Sequence, residues 1–153
     1  MDTKKWECEA LNNNDGIFVM HTGPSQAAQP IYHDFVMITY IAHGEGIHHC
    51  GGKDTVLKEG DVLIINPDVI HYFSSSSRFQ YLELYYCFIT PQKAKKAYSE
   101  LKHDFPELQG FFDNTSLKSL HIKDNEKRDI RNLFIRMIDE FMNCPPGHKC
   151  MLN

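Results

Sequence analysis

Short runs rich in apolar and β-branched residues fill the chain from Ile17 to Ile89: IFVM, FVMITYI, GIHHC, DTVL, DVLII and YLELYYCFI, broken by Gly, Pro, Asn, Asp and Ser. This composition and punctuation predict β-strands. Gly51-Gly52, between GIHHC and KDTVL, can supply the positive φ angles of a two-residue hairpin. The register that follows puts Gly46, His48 and Cys50 on one face with Lys53, Thr55 and Leu57, and Ile47 and His49 on the other. His48 and His49 therefore cannot both point inward.

After Ile89 the period lengthens. Thr90 can cap a helix that has Pro91 at its first position, and Ala94, Ala97, Tyr98 and Leu101 then recur at helical spacing. A second helix is predicted from a cap at Asp124, with Ile130, Leu133, Phe134, Met137, Ile138 and Phe141 on one stripe and Cys144-Pro145-Pro146-Gly147 as its stop. Strands first and helices after predict a mainly β domain, a small antiparallel barrel or sandwich followed by two or three C-terminal α-helices packed outside it. The expected divisions are a loose N-terminal arm over 1–16, the barrel over 17–90 and a helical region over 91–153. The apolar stripe can dock on the barrel or pair with its copy in a second molecule, and the sequence does not separate the two.

A length of 153 residues, with 42% hydrophobic and 24% charged, is that of one ordinary globular unit. A formal charge of −4 and a pI near 6.1 argue against direct contact with nucleic acid, which calls for a basic face. The N-terminus lacks an apolar region of signal-peptide length and no apolar run approaches a membrane span, so a cytoplasmic protein with no membrane partner is expected. Cys8, Cys50, Cys87, Cys144 and Cys150 show no repeated spacing, which argues against a disulfide framework. Cys144, His148 and Cys150 could hold zinc, but no second pair completes four ligands.

Two places carry candidate chemistry. In FQYLELYYC, alternation groups Tyr81, Glu83, Tyr85 and Cys87 against Leu82, Leu84, Tyr86 and Phe88. The apolar set is expected between barrel and helices, which leaves Glu83 and Tyr85 for the barrel interior, where a ring beside a carboxylate suits a sugar or an amine. In LKEGDVLIINPDVIHYF, His71 follows Asn66-Pro67 at an expected strand end. It can ligate a metal, contact a ligand or hydrogen-bond a backbone carbonyl.

The ordered series His33-Asp34-Phe35, Gly44-Glu45-Gly46, the Gly-Gly hairpin, Gly60-Asp61 and Asn66-Pro67 with His71 resembles the cupin barrel of AraC-family transcription regulators over about Phe18 to Phe141. The resemblance implies a cupin-like (double-stranded β-helix) fold and a sensor for a small-molecule effector, with a carbohydrate as the first guess. It also implies a homodimer joined by the trailing helices, so that the six-residue stripe from Ile130 to Phe141 becomes the dimerisation surface. DNA would be reached only through a pair of helix-turn-helix units, which this chain does not contain. In such regulators an arm can close over the ligand, so Trp6 is a candidate lid. The candidate ligand-binding set is then His33, His48, His71, Glu83, Tyr85 and Trp6, with no catalytic residue and no cofactor.

Metal-binding cupins place two histidines around one residue and a glutamate soon after, with a further histidine in the second motif. Here Met37 stands where the glutamate is expected, and each motif keeps a single histidine, His33 and His71. The alternative is a metal-dependent cupin enzyme, an oxygenase or isomerase, with a set rebuilt from His33, His48 and His71 and Glu83 as a possible carboxylate.

Overall fold

The computed structural model describes residues 3–9, 11, 16–25, 29–75, 82–106 and 118–143. Tyr81, the run 12–15 and the tail with Cys144, His148 and Cys150 lie outside the described residues. In chain order the elements are β1 (Lys4–Trp6), β2 (Ile17–Ser25), β3 (Ile31–His33), β4 (Val36–His43), β5 (Glu45–Cys50), β6 (Lys53–Lys58), β7 (Asp61–Ile65), β8 (His71–Ser75), β9 (Leu82–Ile89), α1 (Pro91–Leu101), β10 (Lys118–His121) and α2 (Lys127–Asn143).

The strands form two five-stranded sheets, ordered β1-β3-β8-β5-β6 and β10-β7-β4-β9-β2. All pairings are antiparallel except that of β1 with β3. This is the mainly β, cupin-like class expected, built as two facing sheets with no hydrogen-bonded closure into a barrel among the described residues.

Packing of side chains between the sheets makes the main core, which includes Phe35, Met37, Ile41, Leu57, Leu63, Ile65, Phe73, Leu84 and Phe88. The second sheet is also covered on its other side. There α2 packs Phe134, with Ile130, Met137 and Ile138, against Ile17, Val19, Tyr40, Tyr85 and Cys87, while Ala94 of α1 meets Val36 and Ile64. Burial on two faces explains why β4 (VMITYIAH) and β9 (LELYYCFI) read as nearly continuous apolar runs where one-sided strands would alternate.

The hairpin forms as its glycines dictate. Gly51 and Gly52 have φ of 57° and 76°, and the register pairs Gly46 with Leu57, His48 with Thr55 and Cys50 with Lys53. Gly46 has a second role: a Cβ there would lie 2.6 Å from the Ser74 carbonyl oxygen and inside the Leu82 side chain, so the absent side chain allows the sheets to approach.

Strands β1, β3, β8 and β10 are too short or too polar to have stood out by period. Residues 66–70 form a turn in which Asp68 adopts φ 64° and its N–H donates to the His33 carbonyl at 2.8 Å. His71 therefore opens β8 and does not end the preceding strand. Thr90 caps α1 as expected, its hydroxyl accepting from the Lys93 N–H at 3.4 Å. Helix α2 begins three residues after Asp124, whose carboxylate pairs with Lys127 at 2.7 Å.

Candidate ligand site between the sheets

Three histidines meet in the space between the sheets. His33 ends β3, His71 opens β8 and His48 sits mid-way along β5. Cys50 lies opposite His71, so His48, two residues from Cys50, is the diagonal neighbour of His71 on the same face. The His33 and His71 rings are 5.2 Å apart, nearly perpendicular, and the His48 and His71 rings are 5.5 Å apart. Aromatic rings press on them: Phe35 stacks on His33 at 4.4 Å, and Phe73 lies 4.8 Å from His48. None of the three histidines is more than 1% exposed.

Removal from water decides their charge. Desolvation, reinforced by the His71 ring, pushes the pKa of His33 down to about 4, and desolvation with the His71 and His49 rings pushes His48 down to about 3. Burial also lowers His71. At neutral pH the rings of His33, His48 and His71 are neutral. His33 Nδ1 lies 2.7 Å from the Phe35 carbonyl and His71 Nδ1 lies 3.0 Å from the Val69 carbonyl. A carbonyl only accepts, so Nδ1 carries the proton in both rings. The other nitrogens, Nε2 of His33 and His71 and both nitrogens of His48, are buried without a hydrogen-bond partner.

A cavity of about 340 Å³ opens beside this cluster, with His71, Trp6, Met20, Met37, Phe73 and Tyr86 in its wall and Lys4 at its edge. Trp6 closes one side, edge-on to Phe35 at 5.8 Å and to Phe88 at 4.9 Å. The segment expected as an arm thus contributes β1, whose pairing with β3 brings Trp6 alongside His33 in register. Burial pushes the Tyr86 phenol above its ordinary pKa, so it stays a neutral O–H.

Of the candidate ligand residues, His33, His48, His71 and Trp6 come together here, whereas Glu83 and Tyr85 do not. Glu83 accepts from His21 Nε2 at 3.0 Å and lies 3.9 Å from the Arg131 guanidinium. Tyr85 stacks on His21 at 4.6 Å and faces Phe134 at 6.0 Å. Both belong to the face of β9 under α2, and Leu82, Leu84, Tyr86 and Phe88 point between the sheets. The expected assignment of the two faces is inverted. The cause is physical: both faces of β9 are buried, and the more uniformly apolar one goes where sheet meets sheet.

On α2, Phe134 is buried and Ile130, Met137 and Ile138 pack on the sheet, Phe141 meets Phe18 at 5.0 Å, and Leu133 remains 49% exposed. The rebuilt metal set loses Glu83 to the outer face. Among the described residues, no three His, Cys, Asp or Glu side chains are placed to hold a metal ion. Sequence reasoning missed Met20, Met37, Phe73 and Tyr86. Reading β9 as a strand buried on both faces would have admitted Tyr86 as an interior residue.

The description "AraC-like ligand binding domain" matches residues 16–138. The chain belongs to this family. No curated protein matches this AraC-like domain by sequence. Among solved structures it is similar to ToxT of Vibrio cholerae. An apo form of ToxT superposes with a TM-score of 0.59 at 10% identity, over 79% of this chain and 47% of ToxT. The form described as bound to an unsaturated fatty acid gives 0.52 at 13% identity, over 76% and 45%. At such identities the likeness is one of fold, and this AraC-like domain spans about half the length of ToxT. No helix among its described residues is long and apolar enough to cross a membrane.

Proposed function

We propose that this domain senses a small, predominantly apolar organic effector, held between its two sheets beside His71, on behalf of a transcription regulator of the AraC family. The observation that carries the reading is the cavity of about 340 Å³, whose surface is mostly aromatic, aliphatic and thioether, with Lys4, Thr22, His71, Tyr72 and Tyr86 supplying its polar groups, the usual composition of a small-molecule site. The carbohydrate expectation rested on Glu83 and Tyr85 facing inward, and their place under α2 removes that support. Binding without turnover fits the weak basicity of the His71 ring, which burial holds below its ordinary pKa. A homodimer of the regulator would use the flank of α2 on which Leu133 is exposed.

Trp6 is the sole tryptophan and it lines the cavity, so its fluorescence reports occupancy. Titration with a panel of small aromatic and aliphatic molecules and sugars is expected to change Trp6 emission saturably with apolar members and not with sugars. Saturation by sugars alone would overturn the assignment of ligand class. Silence across the panel, with no change in melting temperature, would overturn the cavity as the effector site. Elemental analysis of the purified protein addresses the enzyme alternative, which requires stoichiometric metal.

A further inference from the structure

The hydrogen-bonding polarity of the histidine cluster restricts what the cavity accepts. His33 and His71 each commit Nδ1–H to a backbone carbonyl, at 2.7 Å and 3.0 Å, so each Nε2 is a lone pair with nothing to donate. Two lone pairs cannot bond to one another, and neither nitrogen has a partner. A buried acceptor left in this state is destabilising relative to a satisfied one. His48 has both nitrogens unpartnered, and its tautomer is free to follow its surroundings. The Thr39 and Thr22 hydroxyls, also buried without a partner, can each rotate to donate or accept and so impose no polarity, and the cavity wall holds the hydroxyls of Thr22 and Tyr86 besides His71. The fixed part of the cluster is acceptor-only, and His71 is the member whose ring lines the cavity, its Nε2 covered by neighbouring atoms.

We infer that the effector carries an O–H or amide N–H and presents this donor to Nε2 of His71, its apolar body lying against Trp6, Met20, Met37 and Phe73. The inference rests on the proposal that the cavity is the effector site. A carboxylate head group would set lone pairs against lone pairs at this end, and would instead find its cation at Lys4 on the cavity edge. A divalent cation would also take lone pairs, but the present positions of the rings do not converge on one.

Four probes of the purified chain separate these outcomes: phenol, its O-methyl ether anisole, benzoate, and zinc ion alone. Methionine methyl signals of Met20 and Met37 report occupancy, and histidine ring ¹⁵N signals report contact with Nε2. Phenol is expected to bind about tenfold or more tightly than anisole or benzoate and to shift Nε2 of His71. His71→Phe is expected to abolish that preference while still binding anisole, which also shows that the variant has folded. Should the variant not fold, the wild-type ratio of phenol to anisole decides alone. Equal binding of anisole or benzoate, with the methyl signals moved, would overturn the donor requirement and leave the cavity reading intact. If no organic probe moves Met20 or Met37, the cavity reading falls and this inference with it. Stoichiometric zinc shifting Nε2 of His33, His48 and His71 together would make the cluster a metal site and overturn it.

Discussion

His33 and His48 favour the neutral form in the fold, with pKa values pushed to about 4 and about 3 by desolvation, against about 6.5 in an unfolded chain. Between those values the unfolded state binds more protons, so stability falls as pH drops. Above pH 7 the effect is absent, and it grows from about pH 6.5 down towards pH 4. The two residues together are expected to cost several kcal/mol across that window, since each tenfold difference in proton affinity between the folded and unfolded states is worth about 1.4 kcal/mol. Urea unfolding at pH 7.5, 5.5 and 4.5 measures it, and His48→Gln is expected to flatten the slope. A melting curve independent of pH in this range would contradict the neutral, desolvated cluster. Gly46 is the second residue whose chemistry is set by its surroundings. Gly46→Ala drives a methyl towards the Ser74 carbonyl and Leu82, and a loss of about 1–3 kcal/mol is expected in the same assay.

At the scale of elements, β9 connects the two buried layers, with Tyr86 in the cavity wall and Tyr85 beneath α2. Phe134→Ala removes the ring that faces Tyr40 at 5.7 Å and Tyr85 at 6.0 Å, and is expected to cost about 3–5 kcal/mol. Glu83→Gln, at a partly exposed ion pair, is expected to change stability by less than about 1 kcal/mol. Thermal unfolding of the two variants side by side checks both values. The hairpin at Gly51-Gly52, the Thr90-Pro91 helix start and the α2 stripe were legible because each depends on local chemistry: positive φ, capping and a 3.6-residue period. The same register set His48 and His49 on opposite faces without saying which of the two points inward. The faces of β9 were not legible, because alternation separates two sets without saying which meets the other sheet when both are buried. His71 was placed at the wrong end of a strand, because the turn at 66–70 is held by a long-range bond from Asp68 to His33.

For the whole molecule, the folding of α2 onto its own sheet divides the stripe into a packed part and an open part. The proposed dimer through this helix would rest on the flank that carries Leu133, since Phe134 is buried in its own domain. Leu133→Asp is expected to convert a dimer to a monomer in light scattering while leaving the melting temperature within a few degrees. Dimers that persist in this variant would remove the outer side of α2 as the contact. The mainly β class and the helices after it were recoverable from the order of motifs, whereas the meeting of the three histidines entered only as the alternative, rebuilt set. The cavity was not recoverable, since it is assembled from β1, β2, β3, β4, β8 and β9, and no stretch of sequence records which strands will be neighbours.

Strand β1 is only three residues long and lies at the edge of its sheet, yet through Trp6 it forms part of the cavity wall. A purification tag fused directly ahead of it, or a shortened clone beginning at Ile17, would alter the proposed recognition site while leaving most of the scaffold in place. Any screening campaign should therefore carry its handle at the other terminus and compare hits against a preparation with nothing added ahead of β1.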